Sequence, residues 1–101
     1  MTKDDFKPDT RYTLTVRDAS GRLAPLNLYV YRTYGDFMVA RETSGPGLVR
    51  KIAYADVVKI VHEHAIEAAD RFFLPAQLLE EKNWRDRNVM QHYASAPGRG
   101  K

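Results

Sequence analysis

The sequence predicts a mainly β protein with a helical C-terminal third: an α+β domain with a small five-stranded antiparallel barrel followed by one or two helices. Three observations point there. Residues 11–62 alternate apolar and polar side chains in short runs divided by turn residues. Apolar positions recur at helical spacing only after residue 64. At 101 residues the chain is long enough for one core and too short for two.

Residues 1–10 read as a flexible lead-in ended by Pro8 and Asp9. Next, Tyr12, Leu14 and Val16 fall on one face and Arg11, Thr13, Thr15 and Arg17 on the other, the pattern of a half-buried strand. Asp18-Ala19-Ser20-Gly21 supplies turn chemistry. A longer strand runs from about residue 23 to 34, and Pro25 near its start marks an edge position or a bend.

Gly35-Asp36, between Tyr34 and Phe37, reads as a two-residue hairpin loop with glycine first, the type II′ preference. That loop sets a register in which Tyr34 faces Phe37, Arg32 faces Val39 and Val30 faces Arg41. Leu28, Val30, Tyr34, Phe37 and Val39 then share one face, and Tyr29, Tyr31, Met38 and Ala40 the other. Both faces are apolar, so the second needs a cover, either the C-terminal region or a second subunit.

Ser44-Gly45-Pro46-Gly47 is a flexible loop, followed by strands at 48–54 and 57–62. Ile66, Ala69 and Phe73, flanked by Ala65 and Phe72, predict a short helix. Pro75 fits the first turn of another, running through Leu78, Leu79, Trp84, Val89, Met90 and Tyr93 with a break near Lys82 and Asn83. Residues 94–101 read as a disordered basic tail.

The succession over 11–62, a strand, a long bent strand, a tight hairpin and short closing strands, is SH3-like in architecture and resembles the Sm-like barrel. The resemblance covers half the chain at the level of pattern. The glycine and asparagine signatures with which Sm-like proteins bind RNA are not evident, so it implies no binding site and no ring assembly.

The chain is 44% hydrophobic and 29% charged, as expected of a soluble globular protein. It has no cysteine, which excludes disulfides, thiolate zinc sites, iron–sulfur clusters and cysteine nucleophiles and fits a reducing compartment. The start is polar where a signal peptide would be apolar, and no apolar run approaches the roughly 20 residues of a membrane helix. A soluble, cytoplasmic protein with no membrane contact is expected. The net charge of +3 permits a polyanionic partner without requiring one.

Three segments carry candidate chemistry. His62-Glu63-His64 places two imidazoles on one side of a strand, where they could share a metal with Glu67 and His92. One pair is short of a ligand set, so no metal and no cofactor is expected. The run Tyr29 to Phe37 interleaves Tyr29, Tyr31 and Arg32, and with Arg41, Arg50, Lys51 and Lys59 it could hold single-stranded nucleic acid. The same aromatics equally suit cross-strand packing. Trp84, with Arg85 and Arg87, could anchor a partner or fold back over the hairpin, and the uncovered hairpin face favours the second.

No phosphate loop or nucleophile elbow is present, and the reading is not an enzyme. The expected function is a non-catalytic binding or structural module contacting another protein or itself. The alternative is a nucleic-acid-binding small β-barrel for single-stranded RNA or DNA.

Overall fold

The computed structural model describes residues 1–85 and 89–90. Arg87, His92, Tyr93 and the basic tail, all named above, lie outside the described residues. Five antiparallel strands form the body of one sheet: β1 (Thr10–Arg17), β2 (Leu23–Thr33), β3 (Phe37–Glu42), β4 (Val49–Ala53) and β5 (Val57–Ala65). A two-residue strand, β6 (Val89–Met90), extends it, giving the order β5-β1-β2-β3-β4-β6.

The sheet is open, which corrects the expected closed SH3-like or Sm-like barrel. Closure needs a hydrogen-bonded register between the outermost strands. Here the outer edge of β4 is taken by β6 through Val49↔Met90 and Arg50↔Val89. The outer edge of β5 carries no strand among the described residues.

Turn chemistry sets the β1–β2 hairpin. The Asp18 carboxylate accepts hydrogen bonds from the Ser20 hydroxyl at 2.7 Å and from the Ser20 and Arg22 amides at 2.9 Å each. Gly21 takes the left-handed backbone, φ +85°, that the turn requires. The Ser20 hydroxyl, followed by the Arg22 amide, holds the Asp18 carboxyl below its usual range. Pro25 lies where, among the described residues, β2 pairs with β1 alone, since β3 pairs with residues 28–33. Its missing donor costs the ladder little there.

The β2–β3 hairpin departs from the expected register. Arg32 faces Val39 as expected, but a bulge at Tyr31 brings Val30 opposite Ala40 and Tyr29 opposite Arg41. Tyr31 and Arg32 therefore lie on the same face. The bulge redistributes the side chains, because a one-residue slip exchanges faces. Leu28, Val30, Met38 and Ala40 join one core, with Tyr12, Leu14, Ile52, Tyr54 and Val57. Tyr29, Tyr31, Tyr34 and Val39 join a second core on the opposite side, with Val49, Leu79 and Trp84.

Gly35 lacks the positive φ of a type II′ turn. The Tyr34 amide closes the turn by donating to the Phe37 carbonyl at 2.8 Å, and Tyr54 braces it, its hydroxyl donating to the Tyr34 carbonyl at 2.6 Å and accepting from the Tyr34 amide at 3.1 Å. The Tyr54 amide also donates to the Asp36 carbonyl at 3.2 Å.

The expected helical third is absent from the described residues. Short 3₁₀ turns stand in its place at Ala68–Asp70, Ala76–Leu79 and Glu81–Trp84, separated by extended backbone at Arg71, Pro75 and Glu80. Pro75 disfavours helical geometry at Leu74. A short helix also gains little without one apolar stripe to bury. The side chains that pack on the sheet are Ile66, Phe72, Leu74, Leu78, Leu79 and Trp84, and that spacing is not helical. Phe73, assigned to the helix stripe, is 62% exposed. Contacts with the sheet override local propensity.

The lead-in contributes to the first core. After a 3₁₀ turn at Lys3–Asp5, Phe6 is buried edge-on to Tyr12 and stacked on Tyr54, with ring centroids 5.2 and 5.7 Å apart.

Candidate binding surfaces

The second sheet face has a covered half and an open half. The covered half holds several of the residues the sequence singled out. Tyr29, Tyr31, Arg41 and Trp84 are all buried there. The Tyr29 hydroxyl donates to the Asp9 carboxylate, and its ring meets Tyr31 and Phe72 edge-on. Arg41 donates through Nε to the Tyr31 hydroxyl at 2.7 Å and through Nη1 to the Gly47 carbonyl at 3.2 Å. Its guanidinium lies 5.1 Å from the Phe72 ring centroid.

Residues 66–84 form a strap across this half. The Trp84 indole donates to the Leu78 carbonyl at 2.8 Å, and Lys51 Nζ donates to the Trp84 carbonyl at 2.7 Å. The Leu79 carbonyl accepts from the Tyr34 hydroxyl and, at 3.4 Å, from Arg32. Lys51 also sits over the Phe37 ring, and Arg50 pairs with Glu42 at 2.7 Å. These side chains hold the protein's own elements together. Tyr29 and Tyr31 present no stacking surface to a nucleic acid base.

Burial is the main reason that the hydroxyls of Tyr12, Tyr29, Tyr31, Tyr34 and Tyr54 all titrate above the ordinary tyrosine value. Asp9 adds to the shift at Tyr29, whereas Arg41 opposes it at Tyr31. Each raised value means that the folded state keeps a proton which the unfolded chain releases near pH 10. The associated stability is full below about pH 10 and is lost as pH rises through the folded-state values. Urea midpoints should therefore be level from neutral pH to about pH 9 and fall steeply beyond pH 10. Tyrosinate absorbance should rise together with the loss of structure. Ionisation of most tyrosines while the fold stays intact would contradict this.

The open half spans β5, β1 and the first part of β2. Register places Arg11 between His64 and Tyr29, and Thr13 between His62 and Asn27. Arg11, Thr13, Asn27, Thr43, His62 and His64, with Tyr12 beneath, line a cleft of about 240 Å³. Thr13 donates its hydroxyl to Asn27 Oδ1 at 2.7 Å. Lys59, opposite Thr15, is exposed farther along β5.

Of the sequence candidates, His62, His64 and Lys59 lie on this open half, while Arg32 and Arg85 are exposed near the strap. Arg11, Thr13, Asn27 and Thr43 were not singled out. Alternation does place Arg11 and Thr13 on the non-core face of the first strand, but their neighbours follow only from strand order. The two histidines share the cleft, yet among the described residues no cluster of three or more His, Cys, Asp or Glu could hold a metal ion.

The outer edge of β5 is the other exposed feature. Its pairing with β1 skips Val58 and Val61, and both valines are exposed, at 43% and 58%. Among the described residues no helix is long and apolar enough to cross a membrane. No protein-family model, curated protein or solved structure matches the chain.

Proposed function

We propose that the chain is a non-catalytic binding module that takes an extended segment of another protein chain, a second copy of itself included, along the outer edge of β5. The observation that carries this reading is the nine-residue β5, which among the described residues pairs with β1 on its inner side and with no strand on its outer side, and which exposes Val58 and Val61. Such an edge offers unpaired backbone donors and acceptors to an added strand. The valines left out of the β1 ladder supply apolar contacts beside it. A cytoplasmic setting belongs to the same proposal and rests on the cysteine-free sequence.

The nucleic-acid alternative loses its aromatic platform with the burial of Tyr29 and Tyr31. What favours it now is the basic open half of the sheet face.

Sedimentation velocity over a roughly hundredfold concentration range, with panning of a displayed peptide library, tests the edge. Self-association, or selection of β-prone extended peptides, is expected. Val58→Lys with Val61→Lys should abolish either one and leave the melting temperature near the wild-type value, because both side chains are exposed. A monomer throughout with no selected peptide, or binding indifferent to the double substitution, would overturn the proposal.

A further inference from the structure

We infer that the cleft between β5, β1 and β2 is a binding site for a phosphate group, with Arg11 as its principal ligand and His62, His64 and Asn27 as supporting donors. The first ground is chemical composition: the residues lining the cleft include no carboxylate. Arg11 carries a guanidinium whose planar fork matches phosphate oxygens. Each imidazole offers at least one N–H in either protonation state. The Thr13 hydroxyl occupies Asn27 Oδ1, so the free end of that carboxamide is its NH₂. Thr43 adds a hydroxyl on the far wall.

The second ground is that these donors are uncommitted. Among the described residues, Arg11, His62 and His64 have neither a hydrogen bond nor an ion pair with another side chain. The neighbouring carboxylates are turned to other work. Glu63, between the two histidines, lies opposite Tyr12 and within 3.8 Å of Lys7, and Glu42 pairs with Arg50. Asp9 lies 3.8 Å from Arg71. Asp70 lines the adjoining cleft beyond Arg11 and is itself engaged.

The third ground is position. Arg11 lines this cleft and two others, one toward Asp70 and Phe72 and one toward the 45–47 loop. A phosphate seated on Arg11 therefore has room on either side for the rest of its molecule. Both a nucleic acid strand and a small phosphorylated compound supply that group. The site does not depend on the β5 edge reading, and a failed strand-addition test leaves it standing.

The test uses inorganic pyrophosphate by calorimetry and a labelled single-stranded oligouridylate by fluorescence anisotropy, both at low salt. Binding should weaken roughly tenfold or more in Arg11→Ala, less in His62→Ala and His64→Ala, and only partly in Arg11→Lys, which keeps the charge and loses the fork. Arg22→Ala, in the β1–β2 turn at the opposite end of the strand pair, should bind as wild type. Arg11 is exposed, so Arg11→Ala should melt as wild type and lost binding is not lost folding.

Oligouridylate affinity far above that of pyrophosphate, falling steeply with salt, would assign the phosphate to a nucleic acid strand. Comparable affinities would assign it to a small phosphorylated ligand. Neither probe binding at low salt, or Arg11→Ala binding as tightly as Arg22→Ala, would overturn the site.

Discussion

Trp84→Ala is expected to lower the unfolding free energy by about 3–5 kcal/mol, the range for deleting a fully buried large aromatic. Against a total of about 5–15 kcal/mol for a domain, that loss is severe. Trp84 is 0% exposed and packs in the cluster of Tyr29, Tyr31, Tyr34, Val39, Val49 and Leu79. Two hydrogen bonds fix it, from its indole to Leu78 and from Lys51 to its carbonyl. Truncation leaves a cavity beneath a strap with no regular helix to hold its shape. The loss should extend beyond one side chain, to the tyrosine face that the strap covers. Urea denaturation measures the effect directly. As the only tryptophan in the chain, Trp84 also reports its own burial, through blue-shifted emission that moves to the red on unfolding. An unchanged urea midpoint would remove Trp84 as the anchor of the strap and return it to the role of a partner contact.

Phe6→Ala should cost a similar amount, about 3–5 kcal/mol. Phe6 is 4% exposed and contacts two rings that have structural tasks of their own. The Tyr12 hydroxyl accepts the Lys7 amide at 2.8 Å, and the Tyr54 hydroxyl bridges the backbone of Tyr34. Loss of the Phe6 ring should therefore loosen the distant β2–β3 turn. Hydrogen exchange at the Tyr34 amide should accelerate more than at Asp18, whose turn is held by its own side chain. A double-mutant cycle of Phe6→Ala with Tyr54→Phe should give non-additive energies, because the Phe6 ring packs on the ring that carries the Tyr54 hydroxyl to Tyr34. Additive values, or equal acceleration at both turns, would separate the lead-in from the hairpin.

The candidate surfaces were legible only in part, and the division has a physical basis. Lys59, His62 and His64 are exposed because β5 lies at the sheet edge, a position that follows from strand order. Tyr29, Tyr31 and Arg41 have the composition of a binding platform but belong to a second core. Residue type alone does not separate a buried tyrosine face from an exposed one, since either is apolar with a hydroxyl at its tip. The cleft around Arg11 assembles residues from three strands and the start of a loop. Asn27 and Thr43 enter it through pairing with chain segments 14 or more residues away.

The sequence by itself determined the five strands of the sheet, because alternation and turn residues act over a few positions and need no distant partner. It also determined that both hairpin faces would be apolar and require a cover. Tertiary structure decided which side chain went to which face, since the bulge at Tyr31 is a matter of fit between β2, β3 and the two cores. Tertiary contact likewise decided the Gly35-Asp36 turn, where hydrogen bonds between Tyr54 and the Tyr34 backbone brace a loop without the glycine conformation that local preference favours. It decided residues 66–84 as well. Their helical spacing is weak, and the burial available on the tyrosine face outweighs the small propensity differences that favour a helix. Where the local signal was strong, the fold followed it. Where it was worth only a few tenths of a kcal/mol per residue, contacts made across the chain prevailed.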